Sequence, residues 1–125
     1  MNKQKTFETV AKHLFQQGKQ ATDEAGSCVY RAYDGSQCAV GCLIPDELYV
    51  KELEGTAVGN IFRKFPEIVD FIGSENLSML ARLQHIHDSR RYWESTEDMK
   101  TALEECADDY DLQSGFLAEL KFDNH

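Results

Sequence analysis

Three of the four cysteines lie close together in the sequence, at positions 28, 38 and 42. Thiolate sulfurs are preferred zinc ligands, and a histidine nitrogen often completes such a site. With His87 as the fourth ligand, the sequence predicts one zinc ion bound by Cys28, Cys38, Cys42 and His87. The spacing lacks the tight C-x2-C pattern of common zinc sites, so two alternatives stay open. The cysteines are either buried thiols that act as small apolar side chains, with no cofactor, or a redox pair.

An enzyme or a small-ligand binder is a further interpretation of the same residues. Cys28 or Cys38 would act as the nucleophile or as a metal ligand, and Arg31 would hold an anion. The adjacent His87 and Asp88 would supply acid–base chemistry. The sequence contains no glycine-rich phosphate loop, no nucleophile elbow and no HExxH motif. The absence of these catalytic motifs favours a protein that is not an enzyme.

The element that must position the cysteines is predicted to be a β-hairpin over residues 28–44. In its first half the side-chain types alternate along the chain, and strand-forming residues are common. Asp34-Gly35 is a strong turn signal. Its second half is a continuous apolar run, which is typical of a buried strand. Gly41 within that run indicates a bulge or a close approach of another backbone segment.

Helices are expected in most of the remaining chain, where apolar residues recur at helical spacing. The predicted elements are a helix over 6–17, the hairpin over 28–44, short helices over 45–72, a helix over 75–88, an acidic amphipathic helix over 95–110 and a docking tail over 111–125. Together they predict a single compact α+β domain spanning residues 1–125. In this fold a short antiparallel β-hairpin packs against four to five α-helices.

The two histidines of the predicted helix 75–88 fall on different sides of it. When the helix is projected at about 100° per residue, His87 lies within the apolar arc and His85 lies among polar residues. His87 is therefore expected to face the interior, either as a ligand or as a core histidine satisfied by a hydrogen bond. Trp93, which follows this helix, is expected to fold back on the core with its N–H bonded to a carbonyl oxygen.

Negative charge is concentrated in the last quarter of the chain. Residues 1–93 carry 12 acidic and 11 basic side chains, whereas residues 94–125 carry 10 and 2, of totals of 22 and 13. One face of the predicted helix 95–110 collects six of these acids: Glu97, Asp98, Glu104, Glu105, Asp108 and Asp109. Because like charges at this spacing destabilise a helix, the face is a candidate surface for a partner protein. A solvated surface and a DNA mimic are the alternatives.

The composition limits the classes of partner. A formal net charge of −9 does not suit direct binding of nucleic-acid phosphates. The chain has no apolar run of transmembrane length, and residues 1–20 are too polar for a secretory signal. No membrane association is therefore predicted, and the expected location is the cytoplasm, where cysteines stay reduced or metal-bound.

The motifs resemble those of a family of short uncharacterised proteins of bacteria and their phages. They are CVYRAYDGSQCAVGCLIPDELY, LEG and LARLQHIHD, and the resemblance runs from the first helix to Tyr110. It implies that the positions of Cys28, Tyr30, Arg31, Cys38, Gly41 and Asp88 recur, whereas that of Cys42 varies. Tyr30, Arg31 and Asp88 thereby become candidate ligand-binding residues, and Cys28 and Cys38 either pair structurally or bind a ligand with His87. The phage association implies a non-catalytic accessory protein that binds a host protein in the host cytoplasm, as a counter-defence inhibitor.

Overall fold

The computed structural model describes residues 2–122, which fold mainly into helices. The α-helices are α1 (Lys3–Gln17), α2 (Val58–Lys64), α3 (Pro66–Ile72), α4 (Leu77–Asp88) and α5 (Thr96–Asp109). Short 3-10 helices span Gly41–Leu43, Asp46–Leu48, Lys51–Leu53, Ser74–Asn76, Arg90–Trp93 and Gly115–Glu119. All five α-helices contribute side chains to one hydrophobic core.

Helix α1 begins three residues before the predicted start, because Asn2 caps it. The Asn2 side chain accepts a hydrogen bond from the Lys5 N–H at 2.7 Å. Gly18 ends the helix with a φ of 74°, a left-handed conformation that glycine adopts without a Cβ clash. The buried face is made by the residues of the predicted apolar stripe: Phe7, Val10, Ala11, Leu14 and Phe15.

The prediction of a β-hairpin over residues 28–44 is wrong, and with it the α+β fold class. The described residues form no strand, only two isolated antiparallel bridges, which join Thr22 to Cys28 and Arg31 to Gln37. Each bridge closes one tight turn. The cysteine-rich segment is therefore a pair of consecutive turns within a helical domain.

The backbone amides of the first predicted strand have other partners. The Val29 N–H donates to the Ala21 carbonyl oxygen at 3.0 Å. The amides of Tyr30 and Arg31 donate to the two carboxylate oxygens of Glu54, at 2.8 and 3.1 Å. Since each backbone donor makes one strong hydrogen bond, these amides are no longer available to a second strand. The ladder of a hairpin therefore does not extend beyond a single bridge.

The apolar run of the second predicted strand is buried as consecutive turns. The Cys42 N–H donates to the Cys38 carbonyl oxygen at 3.0 Å, and the 3-10 helix Gly41–Leu43 continues the turn. Gly41 makes the close backbone approach that its position in the sequence predicts. A Cβ atom on this glycine would lie 2.1 Å from the Tyr30 carbonyl oxygen. A run without polar residues has no periodicity, so it does not distinguish a buried strand from a buried turn.

Helix α4 packs against both α2 and α5 and so lies at the centre of the helical arrangement. It follows the 3-10 helix Ser74–Asn76, and Asn76 occupies its N-cap position. Ser95 caps α5, since its Oγ accepts a hydrogen bond from the Asp98 N–H at 3.0 Å. Among residues 2–122, none of the helices has the length and apolar character needed to cross a membrane.

Trp93 folds back on the core, as predicted from the sequence. Its Nε1–H donates to the His87 carbonyl oxygen at 2.8 Å, and its ring stacks on Phe122 with the centroids 5.5 Å apart. The predicted docking tail, 111–125, contains the 3-10 helix Gly115–Glu119 and packs apolar side chains against the core. The last three residues of this tail lie outside the described range.

Candidate functional site

Cys28 is positioned by the first of the two turns. The Asp23 side chain accepts hydrogen bonds from the backbone N–H groups of Ala25 and Ser27, both at 2.9 Å. This is the geometry of an Asx turn, in which a side-chain oxygen replaces a backbone acceptor. The bridge between Thr22 and Cys28 closes the turn. The thiol is thereby held at the C-terminal end of α4.

His87 is fully buried at that end of α4, and both of its ring nitrogens have hydrogen-bond partners. The Ala21 N–H donates to Nε2 at 2.9 Å, so Nε2 carries no proton in the neutral ring. Nδ1 therefore carries the proton and donates it to Asp88 Oδ1 at 2.7 Å. The His87 carbonyl oxygen accepts hydrogen bonds from the Gln20 amide and the Trp93 indole. This one residue joins the chain before the first turn to the end of α4.

The Asp88 carboxylate accepts two hydrogen bonds, both at Oδ1. Oδ1 accepts from His87 Nδ1 and, at 3.0 Å, from Gln84 Nε2. The Cys28 thiol lies beside this carboxylate, with its sulfur and an Asp88 oxygen within 4.8 Å of each other. Burial and the neighbouring Asp88 carboxylate raise the pKa of the Cys28 thiol to about 11. The thiol is therefore protonated at neutral pH, and His87 has no free ring nitrogen with which to activate it as a nucleophile.

Cys28, His87 and Asp88 form a group with the composition of a metal site. One potential ligand atom from each residue lies within 4.8 Å of the other two. The group includes two members of the predicted zinc site, Cys28 and His87. Asp88, predicted as a ligand-binding residue, takes the third place, and the other two predicted cysteines do not join.

Cys38 and Cys42 make hydrogen bonds within their own turn. Cys38 Sγ accepts from the Gly41 N–H, and Cys42 Sγ donates to the Ala39 carbonyl oxygen, both at 3.2 Å. Burial raises the pKa of both thiols to about 12. All four cysteines are free, so the pairing of Cys28 with Cys38 that the family resemblance implies is not formed. Cys38 and Cys42 pack as small apolar side chains, which was one of the sequence alternatives.

Tyr30 and Arg31, two of the predicted ligand-binding residues, hold the turns in place. Arg31 Nη2 donates to a backbone carbonyl at 2.8 Å and to Asp46 at 2.9 Å. The guanidinium group stacks over the Tyr49 ring, 4.5 Å from its centroid. The Tyr30 hydroxyl donates to the Thr56 carbonyl oxygen. Arg31 lines a neighbouring groove and not the cleft beside Cys28, and its guanidinium group already binds a carbonyl oxygen and the Asp46 carboxylate.

A cleft with a volume of about 530 Å³ opens beside Cys28 and Asp88. Its volume lies in the range of small-molecule sites, roughly 300–1,000 Å³. Tyr30, Gln84 and His85 also line it, together with residues 54–59. In the part of the chain that the structure describes, no lysine or arginine lines the cleft. The cleft is therefore suited to a neutral or cationic ligand.

Two residues that organise this region were missed by the sequence analysis. Glu54 accepts two backbone amides of the turns and the Tyr49 hydroxyl, the last at 2.6 Å. Gln84 accepts the Val40 N–H at 3.1 Å through Oε1 and donates to Asp88 through Nε2. The only signal for Glu54 was its presence in the LEG motif, which does not reveal what the carboxylate binds.

The six predicted partner-binding acids all lie on the exposed side of α5. Asp109 forms an ion pair with Arg82 of α4. The other five are Glu97, Asp98, Glu104, Glu105 and Asp108, which we call the acidic face of α5. Within residues 2–122 none of these five carboxylates forms an ion pair or a hydrogen bond. Lys100, the only base in α5, donates to the Ala118 carbonyl oxygen at 3.1 Å.

Comparisons with known proteins add no identification: no family model, no curated protein and no solved structure matches the chain. The resemblance of the motifs to a bacterial and phage family therefore stays a prediction.

Proposed function

We propose that this chain is a small non-catalytic protein that binds a partner protein through the acidic face of α5. The observation that carries the proposal is the absence of counter-ions for these five exposed carboxylates among the described residues. Pairs such as Glu104 and Asp108 lie four residues apart, where like charges destabilise a helix by a few tenths of a kcal/mol each, roughly 0.2–0.5. A basic surface placed against this face would remove that repulsion.

The opposite side of α5 presents the carboxylates rigidly. Met99, Leu103 and Cys106 on that side are fully buried in the core. The acidic face therefore keeps a fixed spacing, which a partner with correspondingly placed lysine and arginine side chains would recognise. Such charge complementarity mainly raises the rate and specificity of association.

A protein partner fits this arrangement better than the alternatives. The phosphates of duplex DNA run along two strands, whereas the acidic face occupies a single helix, which disfavours a DNA mimic. An enzyme built on Cys28 is disfavoured because the thiol is protonated and His87 is fully engaged. If the chain is phage-encoded, as the resemblance implies, the partner is a host protein in the host cytoplasm. The chain would then act as a counter-defence inhibitor.

The test is affinity capture from a lysate of the source cells with matched triple variants. Glu104→Gln, Glu105→Gln and Asp108→Asn together remove three charges from the acidic face. We expect this variant to lose the captured partner and to keep its fold, because removing acids near a helix C-terminus does not oppose the helix dipole. The association rate of the purified pair is expected to fall as salt is added.

The control variant also removes three negative charges, but from other elements of the protein. Glu47→Gln, Glu52→Gln and Asp70→Asn change exposed side chains on other elements. This control should capture the partner as well as the wild type does. Equal capture by the wild type and the α5 variant, or equal loss from both triple variants, would contradict the role of the acidic face.

A further inference from the structure

We propose that Cys28, His87 and Asp88 bind one divalent transition-metal ion, and that zinc is the ion their chemistry suits best. Their three potential ligand atoms lie within 4.8 Å of one another. A thiolate, an imidazole and a carboxylate are all zinc ligands, whereas calcium and magnesium prefer sites made only of oxygen. This site is independent of the acidic face of α5.

The group needs only a small adjustment to reach zinc geometry. Ligand bonds of about 2.0–2.3 Å place the ligand atoms of a tetrahedral site roughly 3.3–3.8 Å apart. His87 and Asp88 are adjacent residues at the end of α4, with Nδ1 and Oδ1 now 2.7 Å apart. Nδ1 and Oδ1 must therefore separate by roughly 0.6 Å, while Cys28 Sγ, within 4.8 Å of them, must approach. A shift of the order of 1 Å would bring the set into range.

Metal binding requires the loss of one proton from the site and the movement of another within the His87 ring. The Cys28 thiol loses its proton to solvent, because the thiolate is the metal ligand. The ring proton of His87 passes from Nδ1 to Nε2, so that the Nδ1 lone pair can bind the metal. One proton is therefore released for each ion bound. The affinity should rise about tenfold per pH unit while the free thiol is protonated.

The same proton movement couples the site to the chain before the first turn. In the structure the Ala21 N–H donates to Nε2 of His87. Once Nε2 carries a proton, two donors face each other, and the Ala21 amide must turn away to find another acceptor. Metal binding should therefore shift the Ala21 amide resonance, although Ala21 is not a ligand.

The cleft beside Cys28 and Asp88 gives this site an open position. Structural zinc ions usually have four protein ligands, whereas three ligands leave room for water or for a ligand atom. Both Cys28 and Asp88 line the cleft of about 530 Å³. The remaining coordination position would therefore face the cleft, where a small molecule could reach the metal.

The experiment is a titration of the untagged, metal-free protein with zinc and with cobalt as a spectroscopic substitute. Native mass spectrometry should show one zinc per chain. Cobalt should give a thiolate charge-transfer band, and zinc should shift the Ala21 amide resonance in a ¹H–¹⁵N spectrum.

Three variants locate the site. Cys28→Ser and Asp88→Asn keep side chains of nearly the same shape, and the amide introduced by Asp88→Asn retains an oxygen that accepts the His87 hydrogen bond. Each should weaken zinc binding by more than about a hundredfold. Cys42→Ser changes a thiol outside the group and should bind zinc as the wild type does. No zinc bound by the wild type, or a cobalt–thiolate band that persists in Cys28→Ser, would overturn the proposal.

Discussion

Two polar side chains, those of His87 and Glu54, hold the cysteine-rich turns by binding their backbone amides. His87 accepts the Ala21 N–H, and Glu54 accepts the amides of Tyr30 and Arg31. Each of these acceptors comes from a different part of the chain. A buried amide left without a partner costs about 1–3 kcal/mol, so the turns depend on both side chains.

The first prediction concerns the Glu54 carboxylate. In Glu54→Gln one acceptor oxygen becomes an NH₂ group, which faces a donor and leaves a backbone amide without an acceptor. We expect a loss of about 1–3 kcal/mol in the free energy of unfolding, measured by urea denaturation. Glu52→Gln is the matched control, because Glu52 is exposed, and its effect should stay within about 0.5 kcal/mol. Equal stability of the two variants would show that the carboxylate does not hold the turns.

At the scale of elements, the packing of residues 38–44 against the backbone between the two bridged turns depends on a glycine. Gly41 lies against the backbone of Tyr30, and its missing side chain allows the two segments to approach. The apolar run 38–44 is then buried without forming a strand. The Cys38 sulfur is bonded to the Gly41 N–H and does not belong to the group of Cys28, His87 and Asp88.

The second prediction compares two glycine substitutions. A Cβ in Gly41→Ala would lie 2.1 Å from the Tyr30 carbonyl oxygen and 2.9 Å from its carbon. Since the backbone must move, we expect a loss of more than about 1 kcal/mol in the free energy of unfolding. In Gly59→Ala the new Cβ meets nothing within 4 Å, and α2 should gain up to about 1 kcal/mol from the better helix former. Destabilisation of both variants to the same extent would contradict the close approach.

Helix α5 keeps its charged side chains apart from its packing side chains. Its apolar stripe is buried in the core, while the acidic face is exposed. Because the two faces share no side chain, charge on the acidic face can change without disturbing the packing. This is why the triple variant of the acidic face is expected to lose its partner but not its fold.

At the scale of the whole molecule, burial raises the pKa of every cysteine. The pKa of Cys28 and Cys106 rises to about 11 and that of Cys38 and Cys42 to about 12, from an ordinary value of 9.0. Burial is the largest cause in each case. The folded protein therefore keeps thiol protons at a pH where the unfolded chain loses them.

The third prediction is a loss of stability in alkali. Because the folded-state pKa values are raised, this contribution to the free energy of unfolding is complete below pH 9 and is lost as the pH rises towards 11–12. Urea denaturation at a series of pH values should show the decline. In Cys106→Ala one titrating thiol is removed, so the decline above pH 9 should be less steep. An unchanged slope in this variant would contradict the assignment to thiols.

The sequence by itself determined the helices, because their information is local. The apolar stripes of α1 and α5, the cap at Ser95, the inward position of His87 and the return of Trp93 to the core all follow from spacing or residue type. These features depend on residues within a few turns of one another. Periodicity and capping are therefore enough to predict them.

The tertiary structure decided the cysteine-rich segment and its site. Glu54, Gln84 and His87 bind this segment from elsewhere in the chain, and local strand propensity gives no sign of them. Because these side chains accept the backbone N–H groups, the hydrogen bonds of a hairpin cannot form. Cys28 then lies beside His87 and Asp88, while Cys38 and Cys42 do not join them. Which thiol reaches the histidine is set by long-range hydrogen bonds, and a single sequence does not encode these as a visible pattern.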